Sequence, residues 1–117
     1  MNLAIDLDGT CGAFPHEFES ICSKLVAGGD QVFILSGGGK TVTPTVIAEK
    51  RQFLTSLGFG VGSYTALVVV PKPYPAQKVQ AMTEHGVKVL IDNDKKNCKA
   101  AAQAGFLALR LQNAKSK

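Results

Sequence analysis

Apolar residues along the chain fall into short blocks separated by longer stretches of helical spacing. The blocks are NLAI at 2–5, QVFIL at 31–35, ALVVV at 66–70, VKVLI at 87–91 and FLALRL at 106–111. Between them lie four amphipathic segments. The first sets Phe14, Phe18, Ile21, Cys22, Leu25 and Val26 at helical spacing and stops at Gly28 and Gly29. The second opens with Thr43 as its cap and Pro44 in its first turn, and it should bury Val46, Ile47, Phe53, Leu54 and Leu57. The third is predicted over about 75–85 with Gly86 as its stop, and the fourth over about 95–104 with Gly105 as its stop. Strand blocks alternating with helices predict a parallel sheet joined by crossover helices. Right-handed crossovers put those helices on both faces, giving an α/β Rossmannoid three-layer sandwich around a five-stranded parallel sheet.

In such sheets ligands sit at the carboxyl ends of the strands, so the residues that end each block carry the chemistry. The first block ends at Asp6, the second at Ser36 and the fourth at Asp92. The stretch IDLDGT adds a second acid, Asp8, one residue beyond Asp6. Two carboxylates that close repel each other, and a core has no use for them. A hydroxyl between two carboxylates at one sheet edge suits a cation held together with a phosphate. Other apparent motifs fail. SGGGKT at 36–41 lacks the glycine a phosphate-binding P-loop needs at 34, where Ile34 stands, and GFGVGS at 58–63 ends in Ser63 and follows a helix. DLDGT has Cys11 where a calcium loop needs glycine.

Composition narrows the setting. With 117 residues, 45% of them hydrophobic and 19% charged, the chain has the make-up of one folded domain rather than of a disordered segment. We place that domain at 1–112 and expect 113–117, the end of the polar QNAKSK tail, to fray. The net charge of +4 and pI near 9.1 tolerate anionic partners, and the lysines are scattered rather than clustered. Cys11, Cys22 and Cys98 are odd in number and show no CxxC spacing, which predicts neither a zinc site nor a disulfide framework and suits a cytoplasmic protein. Asp6 and Asp8 interrupt any signal-peptide core, and ALVVV is too short to span a bilayer, so no membrane partner is expected. His16 and His85 belong to the surface.

In this order and spacing, the motifs resemble the haloacid dehalogenase (HAD) superfamily of phosphatases over nearly the whole chain. That family opens with hhhDxDGT after its first strand, matched at Asp6, Asp8, Gly9 and Thr10. Ser36 matches the hydroxyl ending its second strand, and Lys78 in PYPAQK matches the lysine before its fourth, with Lys72 a weaker candidate. LIDNDKKNCKAAAQAG resembles its last acidic motif and puts Asp92 at the first acid. The resemblance implies a capless HAD-like phosphatase domain, because too few residues follow Thr10 or precede Lys78 to build a cap. It implies Asp6 as the nucleophile that carries an aspartyl-phosphate and Asp8 as the general acid and base. It further implies Mg2+ on Asp6, Asp92 and the carbonyl of Asp8, with Asn93 and Asp94 behind it. Thr10, Ser36, Gly37 and Lys78 would hold the phosphoryl group. Asp94 should also cap the fourth helix. Two positions depart from the pattern: Asn93 stands where many relatives have a second acid, and Gly37, Gly38 and Gly39 stand where an arginine is common. The implied partner is a phosphorylated substrate, an end or side chain of a macromolecule such as a nucleic-acid terminus. The alternatives are a phosphatase of a small sugar or nucleotide metabolite acting as an oligomer, and a catalytically weak HAD-fold binding module.

Overall fold

The computed structural model describes residues 1–112, so the terminal segment expected to fray lies outside the described residues. The strands are β1 (Asn2–Asp6), β2 (Gln31–Gly37), β3 (Ala66–Val70), β4 (Val89–Asp92) and β5 (Leu107–Arg110). The helices are α1 (Pro15–Ala27), α2 (Pro44–Ser56), α3 (Tyr74–Glu84) and α4 (Lys95–Gln103). All strand pairs are parallel, in the order β3-β2-β1-β4-β5. This is the expected α/β sandwich, and each element falls where the apolar spacing placed it. Thr43 caps α2, its hydroxyl accepting from the Val46 amide at 3.2 Å, and Pro44 follows in the first turn. Asp94 caps α4 through Oδ1, which accepts from the Asn97 amide at 2.9 Å.

Successive strand residues point to opposite faces, and the two cores divide accordingly. Leu3, Ile5, Val32 and Ile34 pack with Phe18 and Cys22 of α1 and Leu54 of α2. Ala4, Phe33, Leu35 and Leu90 pack on the other face with Ala81 and Met82 of α3 and Ala101 of α4. One expectation fails: α2 buries only Leu54 fully, and Phe53 keeps 38% of its surface exposed. The helix rests on the face near the β3 edge, where fewer strands lie beneath it, so its outer apolar positions stay half covered. Phe53 instead lies against Gly12, where an added Cβ would meet its ring at 3.3 Å.

Register carries the strand ends to one level. Asp6 is opposite Leu35, so Ser36 is the next residue up on β2. Ile5 is opposite Ile91, so Asp6 and Asp92 lie side by side one step later. Among the described residues, no helix is long and apolar enough to cross a membrane.

Candidate functional site

The chain leaves β1 through a wide turn over 7–11, closed by the Gly12 amide donating to the Leu7 carbonyl at 2.9 Å. Gly9 takes φ +77° at its bend, and an added Cβ there would stand 2.5 Å from the Asn93 side chain. Glycine thus serves two needs: a left-handed backbone and room for Asn93. With its amide turned to satisfy its neighbours, Asn93 donates to Asp6 Oδ2 at 3.0 Å and to the Asp8 carbonyl at 3.2 Å. It fastens the turn to the end of β4.

Beneath the turn lies a buried charge cluster. Lys78, 3% exposed, reaches up from α3 and donates to Asp6 Oδ1 at 2.7 Å and to Asp92 Oδ2 at 3.0 Å. Asp6 is 5% exposed and Asp92 fully buried. Thr10 Oγ1 approaches Asp6 Oδ2 at 3.3 Å, and Asn97 Nδ2 donates to Asp92 Oδ2 at 3.1 Å. Two carboxylates share one ammonium, so the cluster holds surplus negative charge in a medium that penalises it. Burial, with Asp92 and Asp8 nearby, pushes the Asp6 carboxyl up to about 7 despite the opposing pull of Lys78. Burial works to discharge Lys78, but Asp6 and Asp92 outweigh it and hold the ammonium above its usual value.

Above the cluster opens a cavity of about 350 Å³, lined among others by Asp6, Asp8, Gly37, Asn93 and Asp94. The residues singled out in the sequence are therefore brought together, although Thr10 and Ser36 stand behind the surface, both fully buried. Ser36 donates to Asp8 Oδ2 at 3.0 Å. Gly37 has no room for a side chain, since a Cβ there would stand 2.5 Å from the Tyr74 ring. Lys72, the weaker alternative to Lys78, is exposed, with its ammonium 5.9 Å from the centre of the Tyr74 ring. His16 and His85 are exposed, as expected.

Sequence reasoning missed three wall residues: Lys50, Tyr74 and Asn97. Lys50 of α2 makes an ion pair with Asp8 Oδ2 at 3.0 Å. Its spacing held a signal, for it lies on the helix face of Val46, Ile47, Phe53 and Leu54, a lysine within an apolar stripe. Asn97 had none beyond its place in the first turn of α4. Among the described residues, no group of three His, Cys, Asp or Glu side chains stands together as a ready-made metal cage.

The fold has known counterparts. An uncharacterised protein from Corynebacterium glutamicum superposes with a TM-score of 0.70 at 19% identity, covering 98% of this chain and 87% of that one. A protein of the universal stress protein family from Burkholderia pseudomallei gives 0.65 at 14% identity, with 96% of each chain covered. A universal stress protein in complex with cAMP gives 0.63 at 9% identity, covering 97% of this chain and 98% of that one. At these identities the likeness is one of fold. No protein-family profile matches the sequence, and no curated protein matches it.

These findings overturn the HAD assignment. The chain shares its whole architecture with universal stress proteins, a different Rossmann-like family, and the hydrolase, phosphatase and aspartyl-phosphate readings go with it. So do the metabolite-phosphatase and HAD-fold binding alternatives, which rested on the same resemblance. The physical reason is that the matched positions are strand-tip acids, a glycine turn and a helix cap. An open parallel sheet presents such groups at its carboxyl edge whatever its activity.

Proposed function

We propose that the protein binds a phosphorylated ligand of nucleotide size at the carboxyl edge of its sheet, together with a divalent cation. The observation that carries this reading is the buried cluster of two carboxylates on one lysine, open to a cavity of about 350 Å³. At neutral pH a proton on Asp6 relieves part of that surplus charge; a divalent cation would displace the proton and in turn draw a phosphate. Tyr74 lines the same cavity and supplies aromatic surface against which a base or sugar would rest. A protein of the same fold in complex with cAMP lends support.

The donors fit magnesium of one particular kind. Mg2+ is commonly held by one or two carboxylates plus ligand phosphates rather than by an all-protein cage. Asp6 and Asp92 would hold it, with the Asp8 carbonyl at hand, by giving up donors their oxygens now accept from: Lys78, Asn93 and Thr10 at Asp6, and Lys78, Asn97 and the Asp94 amide at Asp92. When bound, the ion would supply the positive charge the cluster lacks. The chain's own residues do the rest: Lys78 fixes both carboxylates, Asn93 fixes the turn, and the closed packing at Gly37 shapes the wall. Three cysteines, all buried and unpaired, support a reducing, cytoplasmic setting. Burial raises the thiols of all three and keeps them unreactive.

Calorimetric titration with AMP and ATP, in magnesium chloride and again in chelator, tests the reading. Binding should appear with magnesium and weaken at least about tenfold without it, and Asp92→Asn should remove that dependence. A 3′-phosphorylated oligonucleotide in the same panel tests the larger ligand. Absence of binding by every phosphorylated compound would refute the proposal.

A further inference from the structure

The geometry points to Asp8 as a built-in substitute for the ligand's anion: its Oδ2 occupies both donors, Ser36 Oγ and Lys50 Nζ, that an incoming phosphate would take, and ligand binding displaces it. The inference rests on the phosphate-binding reading above. Both donors converge on one oxygen at 3.0 Å, one from the end of β2 and the other from α2, 42 residues along the chain from Asp8. Ser36 is fully buried, so no anion reaches its hydroxyl while Asp8 stays in place. Asp8 itself is open to water, with 55% of its side chain exposed against 24% for Lys50. Its backbone, at φ −74° and ψ 131°, is ordinary extended chain and leaves the side chain free to rotate out to water.

A carboxylate and a phosphate oxygen make the same demands on a hydroxyl and an ammonium. The exposed ion pair contributes little by itself, about 0.2–1 kcal/mol, so a phosphate that gains both donors can afford to break it. Asp8 then turns from a blocking group into a solvated one. Lys50 passes from Asp8 to the ligand and reads the ligand's charge. The site at rest keeps its donors satisfied and excludes weaker anions, which must compete with a tethered carboxylate.

The test is a double-mutant cycle read by calorimetric titration with inorganic phosphate in magnesium chloride. Asp8→Ala removes the substitute, and its half-exposed position leaves the core intact. Glu49→Gln, an exposed residue beside Lys50 that makes none of the ion pairs among the described residues, removes the same charge without freeing either donor. Asp8→Ala should tighten phosphate binding about fivefold or more, and Glu49→Gln less than about twofold. Lys50→Met should weaken binding about fivefold in the Asp8→Ala background but less than about twofold in the wild type, where what Lys50 gains on the phosphate is offset by the pair with Asp8 it gives up. Equal losses in the two backgrounds, or an Asp8→Ala gain no larger than that of Glu49→Gln, would overturn the substitution while leaving the binding site in place. Phosphate binding by none of the variants would overturn both.

Discussion

Replacing Lys78 by methionine keeps the buried stem and removes only the ammonium, which makes it the sharpest perturbation of the charge cluster. In the native protein that ammonium lies 2.7 Å from Asp6 and 3.0 Å from Asp92. Neither carboxylate has water enough to replace it, since Asp6 is 5% exposed and Asp92 0%. Removing one partner of a buried ionic group costs about 3–5 kcal/mol, because the remaining charge is stranded rather than because the pair was strongly favourable. Against a typical total of about 5–15 kcal/mol this is a large fraction. It corresponds to a fall in Tm of about 10–20 °C for a domain of this size. The two stranded carboxyls can share a proton, so the loss should shrink on acidification. Urea unfolding followed by circular dichroism at pH 7.5 and 5.5 measures both effects. A loss below about 1 kcal/mol, equal at the two pH values, would show that the cluster is solvated and that the account of its surplus charge is wrong.

Two further outcomes follow from the same geometry. The folded state binds the Asp6 proton more tightly than the unfolded chain, with a carboxyl at about 7 against an ordinary 3.8, so it carries more protons between those values. Stability should therefore fall as pH rises through that window and level off above it. Asp6→Asn should flatten the fall and raise stability at pH 8 by about 1–2 kcal/mol, even as it weakens magnesium-dependent binding; an unchanged slope in thermal melts from pH 4 to 8 would contradict the assignment. Gly9→Ala places a side chain at φ +77° against Asn93 and should lose about 1–3 kcal/mol in urea unfolding, with ligand binding weakened as the turn is pushed off Asp6; a neutral substitution would show that the turn relaxes freely.

The fold was legible because its signals are local. Each strand is an unbroken apolar block, and each helix carries its stop or cap within a residue or two of its end, as Thr43 and Asp94 do. The level of Asp6, Ser36 and Asp92 followed from one rule about sheets, since parallel strands bring their carboxyl ends to one edge. What stayed hidden depends on contacts distant in sequence. Lys50 meets Asp8 only because α2 settles over the turn after β1, and nothing in residues 43–57 says which strand tip that helix overhangs. The Asn93 contact depends likewise on how closely Gly9 lets the turn approach β4. The family was misread for the opposite reason. Motif residues at strand tips are so nearly dictated by the sheet itself that they say little about which chemistry uses them.

The strand order has a consequence for how the site comes into being. β1 lies at the centre of the sheet but comes first along the chain, and its partner β4 begins only at Val89. A chain emerging from its amino end would hold Ala4, Ile5 and Asp6 against β2 alone, with one flank bare, until β4 is available. Lys78 would arrive shortly before Asp92, and the ion cluster would close in one late step rather than grow piecemeal. The site thus records completion of the fold: a copy cut short before β4 has Asp6 and Asp8 but neither Asp92 nor a pocket, and the capacity to hold a ligand appears only when the central strand gains its second neighbour.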